Sequence, residues 1–262
     1  MARANRHFIP GFIWHLTHRC HKREFLLRFA KDRRRWLQWL YEAKKRYGLT
    51  ILNYAVTSNH IHLLVKGNGD RDVIPKSIKL VAGRIGQEYN QRKQRRGAFW
   101  EDRYHATAVE GGQHLLRCLV YIDLNMVRAG MVKHPSQWLF GGYNEIQAPK
   151  KKNVLIDYEG LRAAVGLESY EQVKSYHKKW VEELLQNGKN LRDDKWSKSI
   201  AVGGQAFIEA MKSKLDGLVM GRKVIETVEG HQLRDPAAGY MARSDTEKCD
   251  IGLENAHFWD IT

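Results

Sequence analysis

Two β-prone runs, residues 49–56 and 61–65, are separated by the turn chemistry of Thr57-Ser58-Asn59, which predicts a hairpin. At the start of its second strand stands His60-Ile61-His62. Residues i and i+2 of a strand point to one face, roughly 6–7 Å apart along the backbone. Two imidazoles can then converge on one cation while Ile61 faces the other side. A hydrogen-bonded or surface histidine pair satisfies the same spacing, so the motif alone does not decide between them.

The rest of the first half has alternating periodicities. Residues 11–17 read as a first strand, bounded by Pro10-Gly11. In residues 31–47, Trp36, Leu37, Trp39, Leu40 and Ala43 recur near helical spacing, and Gly48 is a stop signal. A second helix is expected over 74–94, carrying Ile78, Val81, Ile85 and Tyr89 inward. A strand over 104–109 and a helix over 113–125, with Leu115, Leu116, Leu119 and Ile122 as apolar positions, complete the order β-α-β-β-α-β-α. That order predicts an α+β domain: a split βαβ antiparallel sheet with helices mainly on one face. Ala148-Pro149 and three lysines then read as a boundary. Beyond it, residues 155–165, 170–186 and 205–215 are candidate helices, and Gly221 to Glu226 is expected to cap a small helical module. The expected division is a catalytic domain over 1–148, a mostly helical extension over 149–240 and a weakly periodic tail, a candidate for disorder, over 241–262.

Charge points to the partner. The net charge is +15, and residues 1–150 hold 27 Lys+Arg against 11 Asp+Glu, leaving the remainder close to neutral. The basic half is also rich in Trp, Tyr and Phe. Cations meet phosphates and flat rings stack on unpaired bases, so the pairing suits a nucleic-acid strand. No apolar run approaches the roughly 20 residues that span a bilayer, and the basic N-terminus has no apolar segment before a cleavage site. A cytoplasmic protein is expected. Cys20, Cys118 and Cys249 form no paired motif, so they read as reduced thiols.

A second pair, Tyr121 and Asn125, lies four residues apart on the expected helix and shares one face. Tyr121 can supply a nucleophilic hydroxyl and Asn125 an oxygen ligand. A helical tyrosine among leucines is also an ordinary core residue. Together, the strand pair and the helix pair carry the chemistry.

Three segments, in order, carry a resemblance. Val56-Thr57-Ser58-Asn59-His60-Ile61-His62-Leu63-Leu64-Val65 is similar to the signature of IS200-like (Y1) transposases. Phe99-Trp100-Glu101-Asp102-Arg103-Tyr104 resembles the aromatic–Arg-Tyr segment of their REP-associated branch. Leu119-Val120-Tyr121-Ile122-Asp123-Leu124-Asn125-Met126-Val127-Arg128-Ala129-Gly130 resembles that branch's Tyr-Ile-x-x-Asn-Pro block. Met126 stands where the family usually has proline, and is expected to extend or loosen that helix end.

The resemblance implies an HUH endonuclease fold of ferredoxin/RRM-like type. It makes Tyr121 the nucleophile, His60 and His62 paired ligands of Mg²⁺ or Mn²⁺, and Asn125 the third ligand. It implies attack on a phosphodiester of single-stranded or hairpin DNA, leaving a 5′-phosphotyrosine and a free 3′-hydroxyl, as in transposition or dissemination of repeats. Trp100, Arg103, Tyr104, Arg92, Lys93, Arg95 and Arg96 are the expected DNA contacts. Arg33-Arg34-Arg35 and Lys44-Lys45-Arg46 are further candidates for phosphate. A regulatory hairpin-binding protein is the alternative. A replication-initiator or relaxase type fits less well, given the single tyrosine and short spacing. Monomer and homodimer both stay open. His15, His18, Cys20 and His21 suggest zinc only weakly, because their spacing does not repeat at two, and His105 is expected to pack or lie at the surface.

Overall fold

The computed structural model describes residues 8–188, 192–215, 222–227 and 229–234. The expected tail over 241–262, Cys249, Gly221 and the first seven residues lie outside them. Over the first half the elements follow the expected order: β1 (Ile13–Arg19), α1 (Ala30–Tyr47), β2 (Thr50–Val56), β3 (His60–Lys66), α2 (Val73–Lys93), β4 (His105–Val109) and α3 (Gln113–Asp123). Gly48 closes α1 in the left-handed region at φ 67°, where a residue without a Cβ avoids strain.

β2, β3, β1 and β4 pair antiparallel in that spatial order, with His62 opposite Thr17 and His15 opposite Thr107. Pleating therefore puts His60, His62, His15 and Thr107 on one face, and Ile61, Leu63, Trp14 and His18 on the other. α2 packs on the His18 side, where Trp100 stacks on His18 and donates Nε1 to the Ala82 carbonyl at 3.0 Å. α3 lies on the other side: Asn53 of β2 donates Nδ2 to Asp123 at 3.1 Å. Helices thus cover both faces, where the sequence predicted mainly one. The reason is that both faces of β3 are apolar, with Ile61, Leu63, Leu64 and Val65 all buried, and each must be shielded from water.

α3 stops two residues earlier than expected. Leu124, at φ −76° and ψ 1°, breaks it from a four-residue helix, α4 (Asn125–Arg128). Met126 is buried, so its apolar side chain packs at the break while the helix still ends.

Beyond residue 148 the chain is mostly helical, with α5 (Tyr143–Gln147) preceding it and α6 (Tyr158–Val165), α7 (Tyr170–Gln186), α8 (Lys195–Lys198) and α9 (Gln205–Lys214) following. Among the described residues there, three strands were not foreseen. β5 (Ala201–Gly203) pairs parallel with β4, and β6 (Lys223–Thr227) and β7 (Gly230–Arg234) form a hairpin beside it. The sheet is therefore seven-stranded and mixed, in the order β2-β3-β1-β4-β5-β7-β6. The segment expected to cap a helical module from Gly221 instead contributes β6. Its local composition did not reveal a partner strand, and the partner, β7, supplies the backbone hydrogen bonds.

The expected boundary, residues 148–152, is exposed. The chain on either side of it is tied to the buried carboxylate of Glu145, which accepts from Tyr54 Oη at 3.0 Å and from the amides of Leu155 and Ile156 at 2.8 Å each. One core cluster includes Leu63 and Ile78 together with Leu161, Val173, Trp196 and Ile208. Among the described residues no helix is long and apolar enough to cross a membrane.

Candidate nuclease site

β3 brings His60 and His62 together as their spacing predicted, with ring centroids 5.0 Å apart. His60 Nδ1 lies 2.8 Å from Asn59 Oδ1 and 3.0 Å from Thr57 Oγ1. The Thr57 hydroxyl donates to the His60 carbonyl at 2.8 Å, so toward the ring it can only accept. The proton therefore sits on His60 Nδ1, and Nε2 carries the lone pair. Asn125 hydrogen-bonds to His60 and donates Nδ2 to His62 Nε2 at 2.9 Å. One amide, presented just past the break after α3, spans both imidazoles.

Burial is the main cause of the depressed basicity of both rings. It lowers the His60 pKa to about 4, with Arg19, Arg192 and Arg128 adding repulsion. It pushes His62 well below the ordinary value, helped by His60 and His15. Both rings are neutral at physiological pH, which is the form a metal ligand must have. Among the described residues no three His, Cys, Asp or Glu side chains form a group that could hold a metal ion by themselves. The donor set is two imidazole nitrogens and one amide, and its chemistry fits a first-row cation such as Mn²⁺, with Mg²⁺ more dependent on added oxygen ligands.

Tyr121 lies on α3 with its ring centroid 6.0 Å from that of His62 and 6.1 Å from that of Trp196. It is 8% exposed. The Arg128 guanidinium sits 4.2 Å from the ring centroid and donates to the Tyr121 carbonyl at 2.5 Å. Burial raises the phenol pKa, while Arg128 and then Arg192 pull it down; burial wins, so the phenol is protonated at neutral pH. A cavity of about 340 Å³ opens beside Tyr121, lined among others by Arg117, Arg128, Trp180 and Lys195.

The residues expected to contact DNA lie as follows. Trp100 and Tyr104 belong to the opposite face of the sheet, where one face of Trp100 is covered by His18 at a centroid distance of 4.0 Å, and Tyr104 stacks on Phe8 at 6.3 Å. Arg92 is paired with the buried Asp32 at 2.5 Å, and Arg95 donates to the Ala98 carbonyl at 2.8 Å. Lys93 lies 5.5 Å from the Phe29 ring centroid. Lys93, Arg96 and Arg103 are exposed. His18 and Cys20 are buried but do not join His15, which faces the other side; burial pushes the Cys20 thiol up to about 12. His105 Nε2 hydrogen-bonds the Ser199 carbonyl at 3.0 Å.

Three residues at the site escaped the sequence. Arg128 stands in the third motif, but nothing local marks it as the cation over Tyr121. His15 and Trp196 come next to His62 and Tyr121 only through sheet register and the return of the chain at α8. The alternation of His15 with Thr17 on a strand was the one available signal.

The site sets a strand-borne histidine pair against a helical tyrosine, in a basic chain. Residues 9–125 match the family model described as "Transposase IS200 like". His60, His62, Tyr121 and Asn125 all lie within it. Among solved structures, a REP-associated tyrosine transposase bound to a REP hairpin is similar at 21% identity, over 57% of this chain and 87% of that one, with a TM-score of 0.48. A putative transposase from Deinococcus radiodurans R1 is similar at 16% identity, over 50% and 98%, with a TM-score of 0.33. No curated protein matches the chain.

Proposed function

We propose that the protein cuts and rejoins single-stranded DNA at hairpin-forming repeats through a covalent tyrosine–phosphate intermediate. The observation that carries this reading is that the Asn125 amide hydrogen-bonds both His60 and His62, with the Tyr121 ring centroid 6.0 Å from that of His62. A core tyrosine would have no need of that neighbourhood, and a DNA-binding surface would have no need of two neutral, inward-facing imidazoles.

In the proposed reaction Tyr121 Oη attacks phosphorus and the bond to the 3′-oxygen breaks. The phenolic proton ends on that oxygen as a 3′-hydroxyl, and the phosphate stays on tyrosine. The new bond keeps the phosphodiester energy, so reversal by another 3′-hydroxyl rejoins DNA without a nucleotide cofactor. The chain's residues supply orientation and charge: Arg128 holds α3 through the Tyr121 carbonyl and favours developing negative charge on the phenol. His60, His62 and Asn125 would hold Mg²⁺ or Mn²⁺, which when bound polarises the phosphate for in-line displacement.

Tyr121→Phe removes only the attacking oxygen. A denaturing gel with a single-stranded hairpin oligonucleotide is expected to lose the covalent protein–DNA band while hairpin affinity stays within a few-fold. An adduct at wild-type level in this variant rejects the nucleophile assignment. The burial of Tyr121, at 8% exposure, favours a second reading, a hairpin-binding protein without turnover. That reading predicts binding and no adduct from the unaltered chain.

A further inference from the structure

His15 lies directly behind His62, fully buried, with the two ring planes within 9° of parallel. Its Nδ1 is 2.8 Å from the carbonyl oxygen of Trp196, and its Nε2 is 2.9 Å from His62 Nδ1. A carbonyl oxygen only accepts, so the proton on that first contact belongs to His15 Nδ1. In the neutral ring Nε2 then carries the lone pair, and the proton of the second contact must come from His62 Nδ1. His62 is left with its lone pair on Nε2, the atom that meets Asn125. A row of donors thus runs in one sense, set at its far end by a backbone carbonyl.

That carbonyl is held firmly. It belongs to α8, whose Trp196 side chain is buried and whose Lys195 ammonium pairs with Asp193 at 2.7 Å and Glu229 at 2.5 Å. The next turn is pinned to β4, where Thr107 Oγ1 donates to the Ser199 carbonyl at 2.7 Å, and β5 then pairs with β4. None of these groups belongs to the segment that matches the transposase family, residues 9–125, except His15 and Thr107 on β1 and β4.

We propose that the C-terminal extension completes the ion site from behind: the Trp196 carbonyl, acting through His15, fixes the tautomer and orientation of His62. His15 is a positioning residue, and the extension is part of the centre. The inference rests on the proposed role of His62 as a ligand, but its tautomer component stands without it. Histidines that bind metals through one nitrogen commonly donate the other to an acceptor that sets ring orientation, and losing that acceptor typically lowers metal affinity by roughly 10–100-fold. Here the acceptor is itself an imidazole, oriented in turn by the extension.

The test uses the full chain labelled with ¹⁵N-histidine, without metal and then titrated with Mn²⁺. Long-range ¹H–¹⁵N spectra of the wild type are expected to place the protons of both His15 and His62 on Nδ1. His62 protonated on Nε2 overturns the proposal, whatever any variant does. His15→Phe keeps bulk and removes both ring nitrogens, and is expected to shift the His62 tautomer balance and weaken Mn²⁺ binding by roughly 10-fold or more. His15→Gln, whose amide can donate to Trp196 and accept from His62, is expected to restore affinity to within a few-fold. A folded His15→Phe with unchanged tautomer and Mn²⁺ affinity sinks the idea. A wild type that binds no Mn²⁺ counts against the ion reading of the site, while its His62 tautomer still decides the positioning role.

Discussion

The imidazole Nε2 of His177 on α7 lies 2.7 Å from Oδ2 of Asp123 on α3, and neither side chain has exposed surface. Asn53 donates to the other carboxylate oxygen at 3.1 Å, and Gln147 donates to His177 Nδ1 at 3.0 Å. Because Gln147 donates, His177 holds its proton on Nε2 and gives it to Asp123. The pair joins the extension to α3 two residues past Tyr121. Removing a hydrogen-bond donor from a buried carboxylate has a typical cost of about 1.5–3 kcal/mol. His177→Ala is therefore expected to lower stability by about 1.5–3 kcal/mol in urea unfolding, and Asp123→Asn combined with His177→Leu by less than His177→Ala alone. A loss under about 1 kcal/mol in His177→Ala, the size of an ordinary exposed contact, contradicts the tie.

His60→Ala and His62→Ala are each expected to cripple metal-dependent cleavage, because a single imidazole does not hold the ion in place. Asn125→Ala should be milder, since water can replace a neutral oxygen ligand. Cleavage measured across a Mn²⁺ series orders the three. Undiminished cleavage by the wild type in EDTA excludes the metal reading.

Acid should weaken the fold through its buried imidazoles. Burial lowers His60 from 6.5 to about 4 and His15 from 6.5 to about 3. Both bind protons more readily when unfolded, so their contribution is fully present above pH 6.5 and is lost as pH falls toward these folded values. Melting temperature is expected to drop between pH 6.5 and 4, with a shallower slope in His15→Gln. Parallel slopes in the two proteins would show that His15 is not held neutral.

Substrate form separates the two functional readings. Single-stranded hairpin DNA should bind and be cut, and the same sequence as a full duplex should be inert. Binding should fall steeply with salt, each phosphate contact adding roughly 0.7 to the slope of log K against log salt for a single strand. Filter binding and cleavage are compared across a salt series. Equal cleavage of both forms overturns the single-strand reading, and duplex-only binding without cleavage favours a regulator.

How much of this was legible beforehand follows from range. Helical spacing of Trp36, Leu40 and Ala43, the stop at Gly48 and the period of two in His60-Ile61-His62 are local, so α1, the β2–β3 hairpin and the shared face of the histidines could be read from the chain. The Tyr121–Asn125 pairing was also legible, although the break at Leu124 means that Asn125 reaches both rings from a separate short helix. Arg92 and Arg95 look from sequence like free cations; Asp32, 60 residues from Arg92, and the Ala98 carbonyl engage them.

The order of the main strands and helices up to α3 and the shared face of His60 and His62 could be read from the chain, because side-chain periodicity is a property of neighbouring residues, whereas Tyr121 as nucleophile followed from the resemblance. What stands behind them came from long-range packing. The three-residue strand Ala201–Gly203 is too short to show a period, and it exists because β4 offers it hydrogen bonds. His15 meets His62 through strand register, and the acceptor that orients His15 is a main-chain carbonyl 181 residues away. A backbone oxygen leaves no mark in residue identity, so its part in the site becomes visible only when the chain folds back on the sheet.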